Sequence, residues 1–267
     1  MTATNGSTHA ELDELHGFAE EIERSMLLRS YPIAVKMLKK ETDVPEGAVR
    51  PKRDLGHHLT QCQAFTLTRR KGMAIAMLAD DQWCWGAIMA YGLVDQRIAE
   101  QFPEISEEVK KIPLLEYGDY VGIVSAPLRE ATFFPDIVII YSNVAQLNNM
   151  LHSLSFAGEG KVSTPLYPIA SCSMSVIPAL SGEYAVTIPD PGELGRGLAG
   201  EDEIIFSLPA AKVKTLVEQL RMFRDEMHWG YKDHAFMEIC PDFPRPDFYK
   251  RLFRACGLDS DDLDRPA

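Results

Sequence analysis

The sequence predicts a mixed α/β protein, with helices packed on a mixed sheet. Three observations carry that class. Short apolar runs alternate with segments whose apolar residues recur every three to four positions. Glycines and prolines punctuate the boundaries between them. The composition, 46% hydrophobic and 25% charged, is that of an ordinary globular chain.

The elements follow in order. Leu12, Leu15, Phe18, Ile22 and Met26 predict an N-terminal amphipathic helix within 10–29. Pro32 closes it, and 32–38 reads as a strand. A polar loop over 39–55 contains Pro45, Gly47 and Pro51. A helix over 59–70 stops before Gly72, a strand covers 73–78, and a short helix over 84–91 is stopped by Gly92. A charged helix over 106–111 and a strand over 120–125 lead to 137–141, the most apolar strand of the chain. A helix over 144–156 is stopped by Gly158 and Gly160. Segments 171–177 and 184–188 read as short strands, and 189–200 as a loop rich in Pro and Gly. A strand over 203–207 precedes a helix over 210–227, with Val213, Leu216, Val217, Leu220 and Phe223 on one face. The tail from Pro241 ends in a short helix at 247–256. Phe243, Phe248, Tyr249 and Phe253 cluster there, suiting either another subunit or this chain's own sheet.

No low-complexity linker divides the chain, which therefore reads as a single domain over 1–267. The strand–helix–strand pattern of 32–78 recurs loosely at 137–188, which leaves two similar lobes open as an organisation. The formal charge of −12 excludes the basic face of a nucleic-acid binder. No stretch approaches the roughly 18 apolar residues of a membrane span. The first thirty residues have no continuous apolar run, so no signal peptide is expected, and the chain reads as cytoplasmic.

Five cysteines, an odd number without close pairs, would stay reduced there. Cys62, Cys84 and Cys172 lie at the edges of predicted elements, where helix N-termini lower a thiol's pKa. Gly86 permits close backbone approach beside Cys84, and Trp83 and Trp85 could shield a cofactor from water. The bland alternative is that all three are small core residues, because free cysteine is usually buried. Cys256 reads as core on the terminal helix. His228, His234 and Cys240 offer a weaker zinc set, since no two share a helical face. His58 and Cys62 are four apart, so on a helix they share a face, as two ligands or as base and thiol. Arg50, Lys52, Arg53, His57 and His58 form the most cationic stretch, suited to steering an anion or to plain solvation. The segment from Pro189 to Gly197, with Arg196, could cradle an anion through backbone N–H groups. It lacks the endings of a P-loop or dinucleotide fingerprint.

The run from Cys62 through Cys84-Trp85-Gly86-Ala87 to Gly92-Leu93 resembles the first block of the domain of unknown function 169 family, common in anaerobic archaea and bacteria. A second block runs Pro135-Asp136-Ile137-Val138, Asn143-Val144-Ala145-Gln146, Gly160 and Ala170-Ser171-Cys172. A third runs from Ile188-Pro189 to Gly192, then Asp202-Glu203 and Leu208-Pro209. The resemblance covers most of 30–220 and leaves 228–267 as a C-terminal extension. It implies cysteines at Cys62, Cys84 and Cys172 as a shared site, and no reaction.

The leading expectation is an oxygen-sensitive enzyme of anaerobic metabolism with an iron–sulfur cluster, 4Fe-4S first, held by Cys62, Cys84 and Cys172. One open iron would serve lyase-type chemistry on a small anionic substrate. Trp83 and Trp85 flank the cofactor, and His57, His58, Arg196 and Glu203 are candidates for proton transfer and anchoring. Zinc or no metal at all are the cofactor alternatives. A non-catalytic ligand-binding or accessory subunit and a metal-free thiol enzyme are the functional ones. A homo-oligomer is left open.

Overall fold

The computed structural model describes residues 4–159, 162, 167, 169–226 and 247–257. The mixed α/β class holds. Six strands form one sheet: β1 (Ile33–Leu38), β2 (Ile75–Leu78), β3 (Gly122–Pro127), β4 (Ile137–Ser142), β5 (Ala185–Thr187) and β6 (Ile204–Pro209). Their spatial order is β2-β3-β1-β4-β6-β5. Every ladder between these strands is antiparallel, with Val35 opposite Ser125 on one side and Ile137 on the other. A single residue, Val49, adds a parallel bridge to Ile75 at the β2 edge. The segments 32–78 and 137–188 both feed this one sheet.

Both faces of the sheet are covered. One face carries Ala34, Leu38, Val124, Val138, Ile140, Phe206 and Leu208. Onto it pack α1 (Thr4–Met26), α5 (Val144–Phe156) and α8 (Val213–Asp225), through Ile22, Met150, Leu216 and their neighbours. The other face carries Ile33, Val35, Met77, Ile123, Ile137, Ile139 and Ile205. It is covered by α2 (Gln61–Lys71), α3 (Trp85–Ala90) and α6 (Ser171–Leu180), through Phe65, Ala87, Met174 and Val176. The expected mixed sheet is thus antiparallel throughout its named strands: strands buried on both faces read as continuous apolar runs, which do not tell parallel from antiparallel pairing. Antiparallel pairing with two covered faces has the same sequence signature.

Two elements differ from expectation. Segment 171–177 is the start of α6, not a strand. All of Ser171 to Ile177 is buried, so no polar face marks the helix. Within 189–200, residues Pro191–Gly195 form a one-turn helix, α7. Asp190 is its N-cap and accepts the Glu193 N–H at 2.9 Å, while Pro191 takes the first position. The helices α4 (Pro103–Val109) and α9 (Asp247–Ala255) complete the described set of α-helices. Phe248 and Leu252 of α9 are exposed, and so is Cys256, contrary to its reading as core. Phe243, His228, His234 and Cys240 lie outside the described residues. No described helix is long and apolar enough to cross a membrane.

Candidate functional site

The cysteine-bearing helices on the second face open onto one cavity of about 180 Å³. Cys62 is the second residue of α2, whose N-cap Thr60 accepts the Gln63 N–H in a capping box. Cys84 is the N-cap of α3. Cys172 is the second residue of α6. All three line the cavity together with Trp85, Gly86, Ala170, Ser171, Asp190, Glu193 and Arg196. Three distant stretches of chain thus deliver three thiols to one wall.

The helix starts favour thiolates, but burial wins. Burial pushes the Cys62 thiol up to about 11, helped by the nearby Glu193 charge and opposed by the Thr60 hydroxyl, 3.0 Å from its sulfur. Burial also raises Cys84, against hydrogen bonds from the Ala87 and Gly86 N–H groups. Cys172 is raised furthest, by burial first and by the charge of Cys84 next. Each thiol therefore stays protonated at neutral pH. Cys84 also raises Cys62 and Cys172, and Cys62 raises Cys172, an effect that a cation bound between them would reverse.

Glu193, which the sequence reading passed over, is 1% exposed beside them. Its Oε1 accepts the Tyr141 hydroxyl at 3.1 Å, and its Oε2 has no hydrogen-bond partner. Burial, reinforced by Asp190, pushes its carboxyl up to about 7. Asp190 joins two helix starts: Oδ2 accepts the Ser171 N–H at 2.8 Å and Oδ1 the Glu193 N–H. The run Asp190-Pro191-Gly192-Glu193 carries a helix-start signature that was legible. Counting its glycines as an anion loop hid it.

Glycine is needed here for space. An added Cβ at Gly197 would lie 2.7 Å from Glu193 Oε2 and 3.0 Å from Cys62 Cβ. At Gly192 it would lie 2.6 Å from Arg196 Nη2. Gly86 meets only ordinary contacts, Ala170 Cβ at 3.5 Å and Cys84 Sγ at 3.9 Å. Ala170, just before Cys172, has φ 59°, the left-handed region that strains a residue with a Cβ by roughly 1 kcal/mol or more.

The other sequence candidates are placed elsewhere. Trp83 is 70% exposed and its ring meets His58 at a centroid distance of 5.1 Å. His58 precedes the N-cap of α2, so the four-residue helical spacing to Cys62 does not apply, and it makes no hydrogen bond to that thiol. His57 is exposed, its Nδ1 3.2 Å from the His58 carbonyl. Neither histidine lines the cavity. Glu203 is buried in a two-bond pair with Arg69, at 2.9 and 3.0 Å, which occupies its carboxylate. The cationic stretch is largely neutralised: Arg50 is buried against Asp81, Asp80 and Glu41, and Arg53 pairs with Asp54.

The donor set, three soft sulfurs lining one cavity, suits a thiophilic centre. Its spacing does not make a cage for one ion. Among the described residues no group of three or more His, Cys, Asp or Glu side chains could hold a metal ion as it stands. Zinc, with four bonds of about 2.3 Å or less to a single ion, would require the thiols to close in. A cluster spreads its ligands over several irons and asks less convergence of them.

Known proteins give the chain relatives. An uncharacterised protein of Methanocaldococcus jannaschii is 22% identical over 237 residues, covering 83% of this chain and 100% of the relative. No solved structure matches. The model of the domain of unknown function 169 family, described as an uncharacterised archaeal conserved region, matches residues 21–219, a span that holds Cys62, Cys84, Cys172, Asp190, Glu193 and Arg196. The chain belongs to the domain of unknown function 169 family.

Proposed function

We propose that the cavity is the active site of an oxygen-sensitive enzyme whose Cys62, Cys84 and Cys172 hold an iron–sulfur cluster. The observation that carries the reading is the arrival of these three thiols, from three separate helix starts, on one cavity wall. Bound there, the cluster would supply an open iron as a Lewis acid, suited to lyase-type steps such as adding or removing water or sulfide. The chain's own groups supply the rest. Glu193, whose carboxyl burial pushes up to about 7, is poised to give or take a proton near neutral pH. Trp85 lines the cavity beside the thiols. A reducing cytoplasm would keep the thiols free for iron.

Two competing readings have less support. A metal-free thiol enzyme needs a thiolate, and Cys62 at about 11 is almost wholly protonated at pH 7 with no histidine hydrogen-bonded to it. A passive binding subunit suits a large apolar pocket without polar convergence. This cavity is small and gathers Ser171, Asp190, Glu193 and Arg196.

The test is purification without oxygen, followed by iron and acid-labile sulfide analysis and visible absorbance. The expected result is a brown protein with iron and sulfide in near-equal amounts. A colourless protein that takes up neither, even after reconstitution with ferrous iron and sulfide, overturns the proposal.

A further inference from the structure

We infer that this cavity takes a small carboxylate, held by the Arg196 guanidinium at its rim and the Ser171 hydroxyl in its wall. The inference deepens the active-site reading and rests on it for the location of the site.

Arg196 is exposed and lines the cavity. Among the described residues its guanidinium makes no ion pair or hydrogen bond, unlike Arg50, Arg69 and Arg221, each clamped by carboxylates. A free surface arginine is common, so the seat beneath it matters. Gly192 needs no special backbone angle, yet a Cβ there would lie 2.6 Å from Arg196 Nη2. The guanidinium lies over Gly192, in the first turn of α7, beside the cavity. Asp190 lies close by, its Oδ1 2.9 Å from that same Cβ position, but its carboxylate accepts the N–H groups of Ser171 and Glu193 and no guanidinium N–H.

Ser171 supplies the second donor. It opens the ten-residue helix α6, is 0% exposed, lines the cavity and has an Oγ without a hydrogen-bond partner. A buried hydroxyl left unpaired costs about 1–3 kcal/mol, unless something else completes it. Serine hydroxyls elsewhere in the same helix are completed: Ser173 donates to the Ala170 carbonyl and Ser175 to the Cys172 carbonyl. The positive end of the α6 dipole adds to the preference for an anion. A cavity of about 180 Å³ is smaller than the pockets that enclose drug-sized ligands, and a cluster on the thiols would take part of it, so it suits a small acid or the carboxylate end of one. A guanidinium and an unpaired hydroxyl on the lining of one cavity are donors suited to a carboxylate.

The test is calorimetric titration with lactate and with lactamide, its neutral counterpart, at low ionic strength. The proteins are wild type, Arg196→Gln, Ser171→Ala and, as a charge control, Arg97→Gln. Iron is assayed and near-ultraviolet circular dichroism recorded on each sample. The expected result is lactate binding to wild type and Arg97→Gln alike. Lactamide, or lactate with Arg196→Gln, should be weaker by about tenfold or more, the usual effect of one charge-assisted hydrogen bond. Ser171→Ala should be weaker severalfold with its fold signature intact. Equal binding of lactate and lactamide, undiminished binding by Arg196→Gln, or no binding by wild type overturns the inference. Arg196-dependent binding to protein that takes up no iron keeps the carboxylate site and removes the cluster. Iron uptake without carboxylate binding does the reverse.

Discussion

Arg50 and Asp81 are buried about as deeply as Glu193 and Ser171, at 7%, 0%, 1% and 0% exposure, but the two pairs are treated differently. On Arg50 and Asp81 no buried side-chain nitrogen or oxygen lacks a partner. Asp81 Oδ2 accepts from Arg50 Nε and from the Leu78 N–H, and Oδ1 from the Lys52 N–H, while Asp80 takes Arg50 Nη2 at 2.9 Å. The result pins the 41–55 loop to the end of β2. In the cysteine cavity, Glu193 Oε2 and Ser171 Oγ have no hydrogen-bond partner among the described residues, and three thiols line the same space. Buried polar groups that satisfy each other hold a fold together, and buried groups left over mark where something else is meant to bind.

The largest expected effect tests the satisfied region. Asp81→Ala leaves Arg50 without its best-buried partner and frees two backbone N–H groups. It should cost about 3–5 kcal/mol in denaturant unfolding. A loss under about 1 kcal/mol would mean that the paired cluster is ornamental and the contrast with the cavity empty.

The next tests the leftover carboxyl through pH. Glu193 rises from 4.5 to about 7 on folding, so the folded chain holds its proton where the unfolded chain has released it. Stability from this group is therefore fullest below about 4.5, falls as pH climbs toward 7, and is level above that. The size is roughly 3 kcal/mol. Glu193→Gln should flatten that slope in metal-free protein. An unchanged slope would show that the carboxyl is not the strained group.

Smaller effects should separate the glycines. Gly197→Ala crowds both Glu193 and Cys62 and should cost about 1–3 kcal/mol. Gly86→Ala meets only ordinary contacts and should shift stability by about 1 kcal/mol or less in either direction. Equal costs at the two positions would mean that the cavity wall is not packed as described.

Much of this was legible from sequence because capping chemistry is local. Thr60-x-x-Gln63 and Asn143-x-x-Gln146 start helices, and Gly72 and Gly92 stop them, so Cys62 and Cys84 fell where expected. Three features were hidden. Antiparallel order was lost because strands covered on both faces carry no alternation. The helix α6 was lost because it is buried all round and its serines bond back to its own carbonyls. Glu193 was missed because a carboxylate in a Pro-Gly segment looks solvated, and only the fold turns it under α2.

The central claim is that Cys62, Cys84 and Cys172 act as one site while Cys256, exposed after α9, does not. The most direct measurement is iron and sulfide content of four single variants, Cys62→Ser, Cys84→Ser, Cys172→Ser and Cys256→Ser, all purified without oxygen and checked for fold by circular dichroism. The account predicts that the first three each lose most of the iron and that Cys256→Ser keeps the wild-type amount. Full iron in any of the first three, or equal loss in all four, would contradict it.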